Sequence, residues 1–68
     1  MPIPIEVNGV ARSVPEGTTV AQLVEELGLR PEVVAVERNA ALVRRGERAA
    51  TRLEPGDRLE VVTLVGGG

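Results

Sequence analysis

The absence of every aromatic side chain and of cysteine from a chain of 68 residues is the strongest constraint on what it can fold into. A domain this short buries only a modest share of its surface, and no disulfide is available to staple it. Its core must therefore come from Val, Leu, Ile and Ala alone, which succeeds only if each element gathers its aliphatic residues on one face. There is room for one domain. Histidine is also missing, which removes the usual acid/base at neutral pH and the commonest metal ligand. Self-contained catalysis and a metal site are accordingly not expected. Without aromatic side chains, no base-stacking platform for nucleic acid can be built.

Eight arginines stand against ten acids, for a formal charge of -2, too balanced for a general binder of nucleic acid or membrane surfaces. Lysine is absent, so Schiff-base chemistry and isopeptide bonds to this chain's own side chains are excluded. The apolar stretches are far short of a membrane span, and Met1-Pro2-Ile3 is not a basic region followed by an apolar signal segment. The expectation is a soluble cytoplasmic protein, monomeric when free.

From Ile3 to Val14 apolar and polar residues alternate around Asn8-Gly9, the dipeptide best suited to a type I′ turn, and predict a β-hairpin. Ile3, Ile5 and Val7 share a face of its first strand, while Pro4, lacking an N–H, limits pairing along one edge. Thr19-Val20-Ala21-Gln22 has the spacing of a capping box, and Val20, Leu23, Val24 and Leu27 then form one apolar helical stripe. Gly28 suits the left-handed closing position, with Leu29 packing back onto the last turn. Val33 to Val36 is a β-branched run that reads as a buried strand, Asn39 as a turn residue, and Ala41 to Arg44 as a brief further strand. Arg45 to Leu53 reads as a loop with one helical turn, and Pro55-Gly56 as the centre of a type II turn. Leu59 and Val61 alternate with Arg58 and Glu60 in a last strand.

This order fits an α+β fold of the β-grasp, ubiquitin-like kind, a mixed sheet of four to five strands packed on one helix. Its first and last strands can lie side by side in the middle of the sheet. The expected division is a β-grasp domain over residues 1–65 and a flexible C-terminal glycine tail over 66–68. Val62 and Leu64, on the face of the last strand opposite Leu59 and Val61, are candidates for an apolar docking patch beside that tail. Arg44, Arg45, Arg48 and Arg52 read as a solvated basic surface, as do Glu25 and Glu26 on the acidic side.

Gly66-Gly67-Gly68 carries no side chains, so it can enter a channel too narrow for other residues and reach roughly 10 Å beyond the domain. A carboxylate on Gly68 would then lie in another protein's active site. Free carboxylates resist nucleophiles and must first be joined to a leaving group, commonly AMP from ATP. Neither a GxxxxGK[ST] nor a GxGxxG pattern occurs, so activation has to come from a partner.

Five segments carry a resemblance over nearly the whole chain: Ile5-Glu6-Val7-Asn8-Gly9, Thr19-Val20-Ala21-Gln22-Leu23, Val34-Ala35-Val36-Glu37-Arg38-Asn39, Pro55-Gly56-Asp57 and Val65-Gly66-Gly67-Gly68. In their order and spacing the chain resembles the ThiS family, the sulfur carriers of bacterial thiamine (thiazole) biosynthesis. The resemblance implies a carrier rather than an enzyme, with Gly68 adenylated by a ThiF-type adenylyltransferase and converted to a thiocarboxylate. It further implies threading of Gly66 and Gly67 into the partner's active site, sulfur drawn from cysteine through a desulfurase or another sulfur-transfer enzyme, and delivery to the thiazole synthase ThiG. ATP and Mg would be used by the adenylating partner, with no cofactor bound by this chain. Carriers for molybdopterin or tRNA thiolation share fold and tail and stand as alternatives, as does a ubiquitin-like protein modifier. The aromatic-free first strand and the Asn8-Gly9 hairpin favour the thiamine branch.

Overall fold

A computed structural model describes residues 1–64. Its five strands are β1 (Pro2–Val7), β2 (Val10–Pro15), β3 (Val34–Arg38), β4 (Ala41–Val43) and β5 (Arg58–Thr63), and its helix α1 spans Val20–Glu26. Two 3-10 segments, Pro31–Val33 and Arg45–Ala50, join them. The sheet order is β2-β1-β5-β3-β4. β1 and β5 run parallel, while the β1–β2, β3–β4 and β3–β5 pairs are antiparallel. This is the expected β-grasp arrangement, with the last strand in the centre and the first beside it.

The hairpin forms where Asn8-Gly9 predicts it. Val7 faces Val10 across the turn, and Asn8 and Gly9 have φ of 51° and 82°, as a type I′ turn demands. Along β1 the N–H groups of Glu6 and Asn8 donate to the carbonyls of Asp57 and Leu59. Pro4 lies two residues earlier on that same edge, where its missing N–H leaves the hairpin ladder intact and the β1–β5 ladder short. Its carbonyl still accepts from the Gly56 N–H.

The capping box of α1 is complete: the Gln22 N–H donates to the Thr19 hydroxyl at 3.2 Å and the Thr19 N–H to Gln22 Oε1 at 2.9 Å. Gly28 closes the helix at φ 76°, and Leu29 packs against the core as expected. With only seven residues, α1 depends on packing Val20, Leu23 and Val24 against the inner sheet face. There they meet Ile3, Ile5, Val7, Val14, Val34, Val36, Leu59 and Val61 in one aliphatic cluster.

Two local expectations need correction. The run Val33 to Val36 is not a strand buried on both faces: Val33 ends a 3-10 turn begun at Pro31, and only Val34 and Val36 are buried. α1 covers one side of the sheet, so Ala35 turns to the other and the strand alternates. Asn39 does sit in a turn, with φ 51°, but its side chain also bonds to β5 and to the loop before it. The 3-10 segment over Arg45–Ala50 is the expected helical turn in that loop.

Globular stability of roughly 0.05–0.15 kcal/mol per residue gives a domain of this length only about 3–10 kcal/mol in total. Leu23 is fully buried in the middle of the aliphatic cluster. Leu23→Ala is expected to cost about 2–5 kcal/mol, enough to leave a large unfolded fraction at room temperature in chemical denaturation followed by circular dichroism.

Candidate functional site

The described chain reaches the base of the glycine tail and stops there. Gly66, Gly67 and Gly68, the expected reactive and threading residues, and Val65 before them lie outside the described residues. What the structure does describe is how the strand leading to them is held.

β5 is bonded along both edges. On the β3 side the ladder runs from Leu59 opposite Arg38 to Thr63 opposite Val34, and the Leu64 N–H continues it by donating to the Val33 carbonyl at 2.6 Å. On the β1 side backbone pairing ends at Leu59, because β1 turns away at Asn8. The Asn8 side chain takes over. Its Oδ1 accepts from the Val61 N–H at 2.9 Å and its Nδ2 donates to the Val61 carbonyl at 3.0 Å, so an amide side chain does the work of one more strand residue. The NG dipeptide signals a turn, and nothing in the local sequence signals this reach across 53 positions.

A second cluster fixes the start of β5. The Asp57 carboxylate accepts from Arg38 Nε at 2.7 Å, from the Glu54 N–H at 2.8 Å and from Asn39 Nδ2 at 3.0 Å. Asn39 Oδ1 accepts in turn from the Arg58 N–H at 2.9 Å. Burial pushes the Asp57 carboxyl up, but the Arg38, Glu54 and Asn39 hydrogen bonds outweigh that effect and leave it below its ordinary value. Pro55-Gly56 forms the expected turn beneath it, with Gly56 at φ 87° and the Asp57 N–H donating to the Glu54 carbonyl.

The candidate docking residues are placed as the alternation of β5 requires. Val62 and Leu64 are 54% and 57% exposed on the sheet face away from α1, and no described loop covers them. Leu42 of β4 is exposed on the same face, in register with Glu37 of β3, which itself faces Glu60 of β5. Like charges directly opposite each other across a ladder are unfavourable, so this face is not tuned for the stability of the free domain. Glu25 and Glu26 are both exposed on α1, as expected, and Glu26 pairs with the half-buried Arg12 of β2 at 3.3 Å.

Arg48 departs from the expected solvated surface. It is only 5% exposed, and its guanidinium donates to the carbonyls of Pro31 at 3.0 Å and Val34 at 2.8 Å, while its Nε is buried without a partner. Arg44, Arg45 and Arg52 do face solvent. Among the described residues no cluster of Asp and Glu is placed to hold a metal ion, and no helix is long and apolar enough to cross a membrane.

The model of the ThiS family matches residues 4–68. The chain belongs to the ThiS family. Solved structures agree: the crystal structure of the thiamine biosynthesis protein ThiS from Geobacter metallireducens is 32% identical, with a TM-score of 0.83 over 97% of this chain and 100% of that one. The solution structure of a thiamine biosynthesis protein from the same organism gives a TM-score of 0.80 at 32% identity, over 97% of this chain and 88% of that one. A designed protein based on the template of human erythrocytic ubiquitin matches at a TM-score of 0.51 and 19% identity, over 98% of this chain and 95% of that one, and so shares the fold alone. Among curated proteins, a thiazole synthase from Magnetococcus marinus is 47% identical over 64 residues, which are 94% of this chain and 20% of that protein. One from Paramagnetospirillum magneticum is 40% identical over 62 residues, 91% of this chain and 19% of that protein. This ThiS-family chain thus spans about a fifth of the length of the curated relatives it matches.

The Asp57 cluster makes a specific prediction. A carboxyl whose folded pKa is depressed contributes stability that is complete above the unfolded value, near pH 4, and is lost as pH falls through the lower folded value. Asp57→Asn is therefore expected to cost about 1–3 kcal/mol at pH 7 and to narrow its deficit below about pH 4, measured by urea denaturation at both pH values.

Proposed function

We propose that this chain is a sulfur carrier of thiamine biosynthesis whose cargo is held as a thiocarboxylate on Gly68. The observation that carries the reading is that the family match runs through the glycine tail to residue 68. The fold supports it. A carrier of this type needs a stiff base and a slender end, and β5, which leads to the tail, is the central strand of the sheet and bonded on both edges.

In the proposed chemistry a Gly68 carboxylate oxygen attacks the α-phosphorus of ATP in a ThiF-type adenylyltransferase, and pyrophosphate leaves. The terminal sulfur of a persulfide, charged from cysteine by a desulfurase or another sulfur-transfer enzyme, then attacks the acyl carbon and expels AMP to give an acyl disulfide. A thiol cleaves its S–S bond, becoming part of a disulfide and so supplying the two electrons that release the thiocarboxylate. ATP and Mg belong to the adenylating partner. Within this chain the chemistry requires one carboxylate and no acid, base or metal, consistent with a sequence lacking His, Cys and Lys. The acceptor is a thiazole synthase of the ThiG type. In two curated proteins named thiazole synthase, a segment similar to this one is joined to a much longer chain, which favours the thiamine branch over molybdopterin or tRNA thiolation.

Ordering glycines inside a partner costs roughly 1–2 kcal/mol per residue, more than their few contacts offset, so the folded body must supply affinity. Val62 and Leu64, exposed on the strand that leads to the tail, are the proposed docking residues for the adenylyltransferase. Removing either apolar side chain is expected to weaken that complex by about 1–3 kcal/mol with little effect on melting temperature, read by isothermal titration calorimetry.

Three measurements test the chemistry. Intact mass spectrometry of the protein from cells that retain the sulfur-transfer system is expected to show one terminal oxygen replaced by sulfur, sensitive to hydrolysis. Deleting Gly68, or extending the chain beyond it, is expected to abolish complementation of growth without added thiamine while leaving the fold unaltered, and Gly67→Ala to slow adenylation far more than it changes stability. Complementation by an extended chain would sink the proposal, and amide-linked conjugates on target lysines would indicate a modifier instead.

A further inference from the structure

We propose that Asn8 is a positioning residue for the reaction at the chain end, acting through β5 and touching neither substrate nor nucleotide. The inference rests on the carrier reading above and concerns how the end is aimed.

The two edges of β5 are held to different extents. Toward β3 the ladder is continuous through Thr63, and the Leu64 N–H carries it one residue further. Toward β1 the last backbone bond is from the Asn8 N–H to the Leu59 carbonyl. Beyond it, the described contacts on that edge are the two hydrogen bonds between the Asn8 side chain and the Val61 peptide groups, at 2.9 and 3.0 Å. A strand bonded along one edge only is free to twist and splay about that edge. The Asn8 amide suppresses this for Val61, three residues before Leu64, and so fixes the orientation of the last described stretch of β5, from which the chain end is presented. Because a misplacement of about 1 Å at a reacting centre can cost as much as a hundredfold in rate, such a clamp acts on turnover more than on recognition.

Asn8 has a second duty as the first central residue of the β1–β2 turn, at φ 51°. The two duties separate in one substitution. Asn8→Gly preserves the turn, since glycine adopts that conformation without strain, and deletes both side-chain hydrogen bonds to Val61. Val14→Ala serves as a control. Val14 is fully buried on β2, which does not border β5, so its truncation lowers stability without touching the clamp.

The experiment follows pyrophosphate release by a purified ThiF-type adenylyltransferase, with the unaltered chain, Asn8→Gly and Val14→Ala each titrated well below its melting temperature. Amide hydrogen exchange is measured on the free proteins. For Asn8→Gly the expected result is a kcat lowered on the order of tenfold with KM within about twofold, and faster exchange at the Val61 amide. Val14→Ala is expected to melt lower and yet retain kcat. Asn8→Asp, which keeps the acceptor for the Val61 N–H and loses the donor to its carbonyl, is expected to fall between and serves if the glycine variant folds poorly. An unchanged kcat in both Asn8 variants overturns the inference and leaves the carrier reading standing. Equal losses of kcat in Val14→Ala and Asn8→Gly overturn it too, by tracing the effect to stability. If the unaltered chain releases no pyrophosphate, the carrier reading fails and this inference with it.

Discussion

The rest of the structure depends on the placement of the last strand between β1 and β3. β5 contributes Leu59 and Val61 to the centre of an aliphatic core, and its backbone joins two antiparallel hairpins into one sheet. Neither hairpin would be stable alone, since an isolated two-stranded ribbon is marginal in water. The strand bonded along both edges is therefore also the one that leads to the glycine tail. Such long-range pairing carries a loop-closure cost that local structure does not, and the turns bordering β5 help offset it with side-chain hydrogen bonds to that strand.

Those turns use the same device twice. Asn8 and Asn39 each open a two-residue hairpin connection at φ 51°, and each sends its side-chain amide to β5, Asn8 to Val61 and Asn39 to the Arg58 N–H. Asparagine is the ordinary residue, apart from glycine, that tolerates this backbone conformation while carrying both a donor and an acceptor. Glycine would make the turns equally well and leave β5 without its side-chain anchors. Asp57 joins the second anchor to Arg38 and to the Pro55-Gly56 turn, so the start of β5 is fixed by charge-assisted hydrogen bonds and its far half by the neutral amide of Asn8.

Features whose physics is local were legible in the sequence. The NG turn, the Thr19/Gln22 capping box, the Gly28 closure and the Pro55-Gly56 turn each depend on residues within four positions of one another, and each is present. The alternation of β5 placed Val62 and Leu64 on the exposed face correctly, because period two follows from strand geometry alone. What could not be read depends on partners far away in sequence. Asn8 looks like any turn asparagine until β5 is beside it. Val33 to Val36 looks like a strand buried on both faces until a single helix is seen to cover one side of the sheet. Arg48, one of several arginines in a polar stretch, carries no local mark of its burial.

Arg48 shows how a core without aromatic residues accommodates a cation. A buried guanidinium with no carboxylate beside it is costly, and the unpartnered Nε adds to that cost. Two effects offset it. The aliphatic stem fills space that no aromatic ring is available to occupy, and the terminal nitrogens donate to the carbonyls of Pro31 and Val34, which a hydrocarbon of similar shape would leave unpaired. Those two carbonyls flank Val33, whose own carbonyl receives the Leu64 N–H. The 3-10 turn at Pro31–Val33 meets the β3–β5 ladder through the Val33 carbonyl alone, so the Pro31 carbonyl needs a donor from elsewhere. Arg48 supplies it, and the β3-side anchor at the last described residue of the chain rests on a segment held by that buried cation.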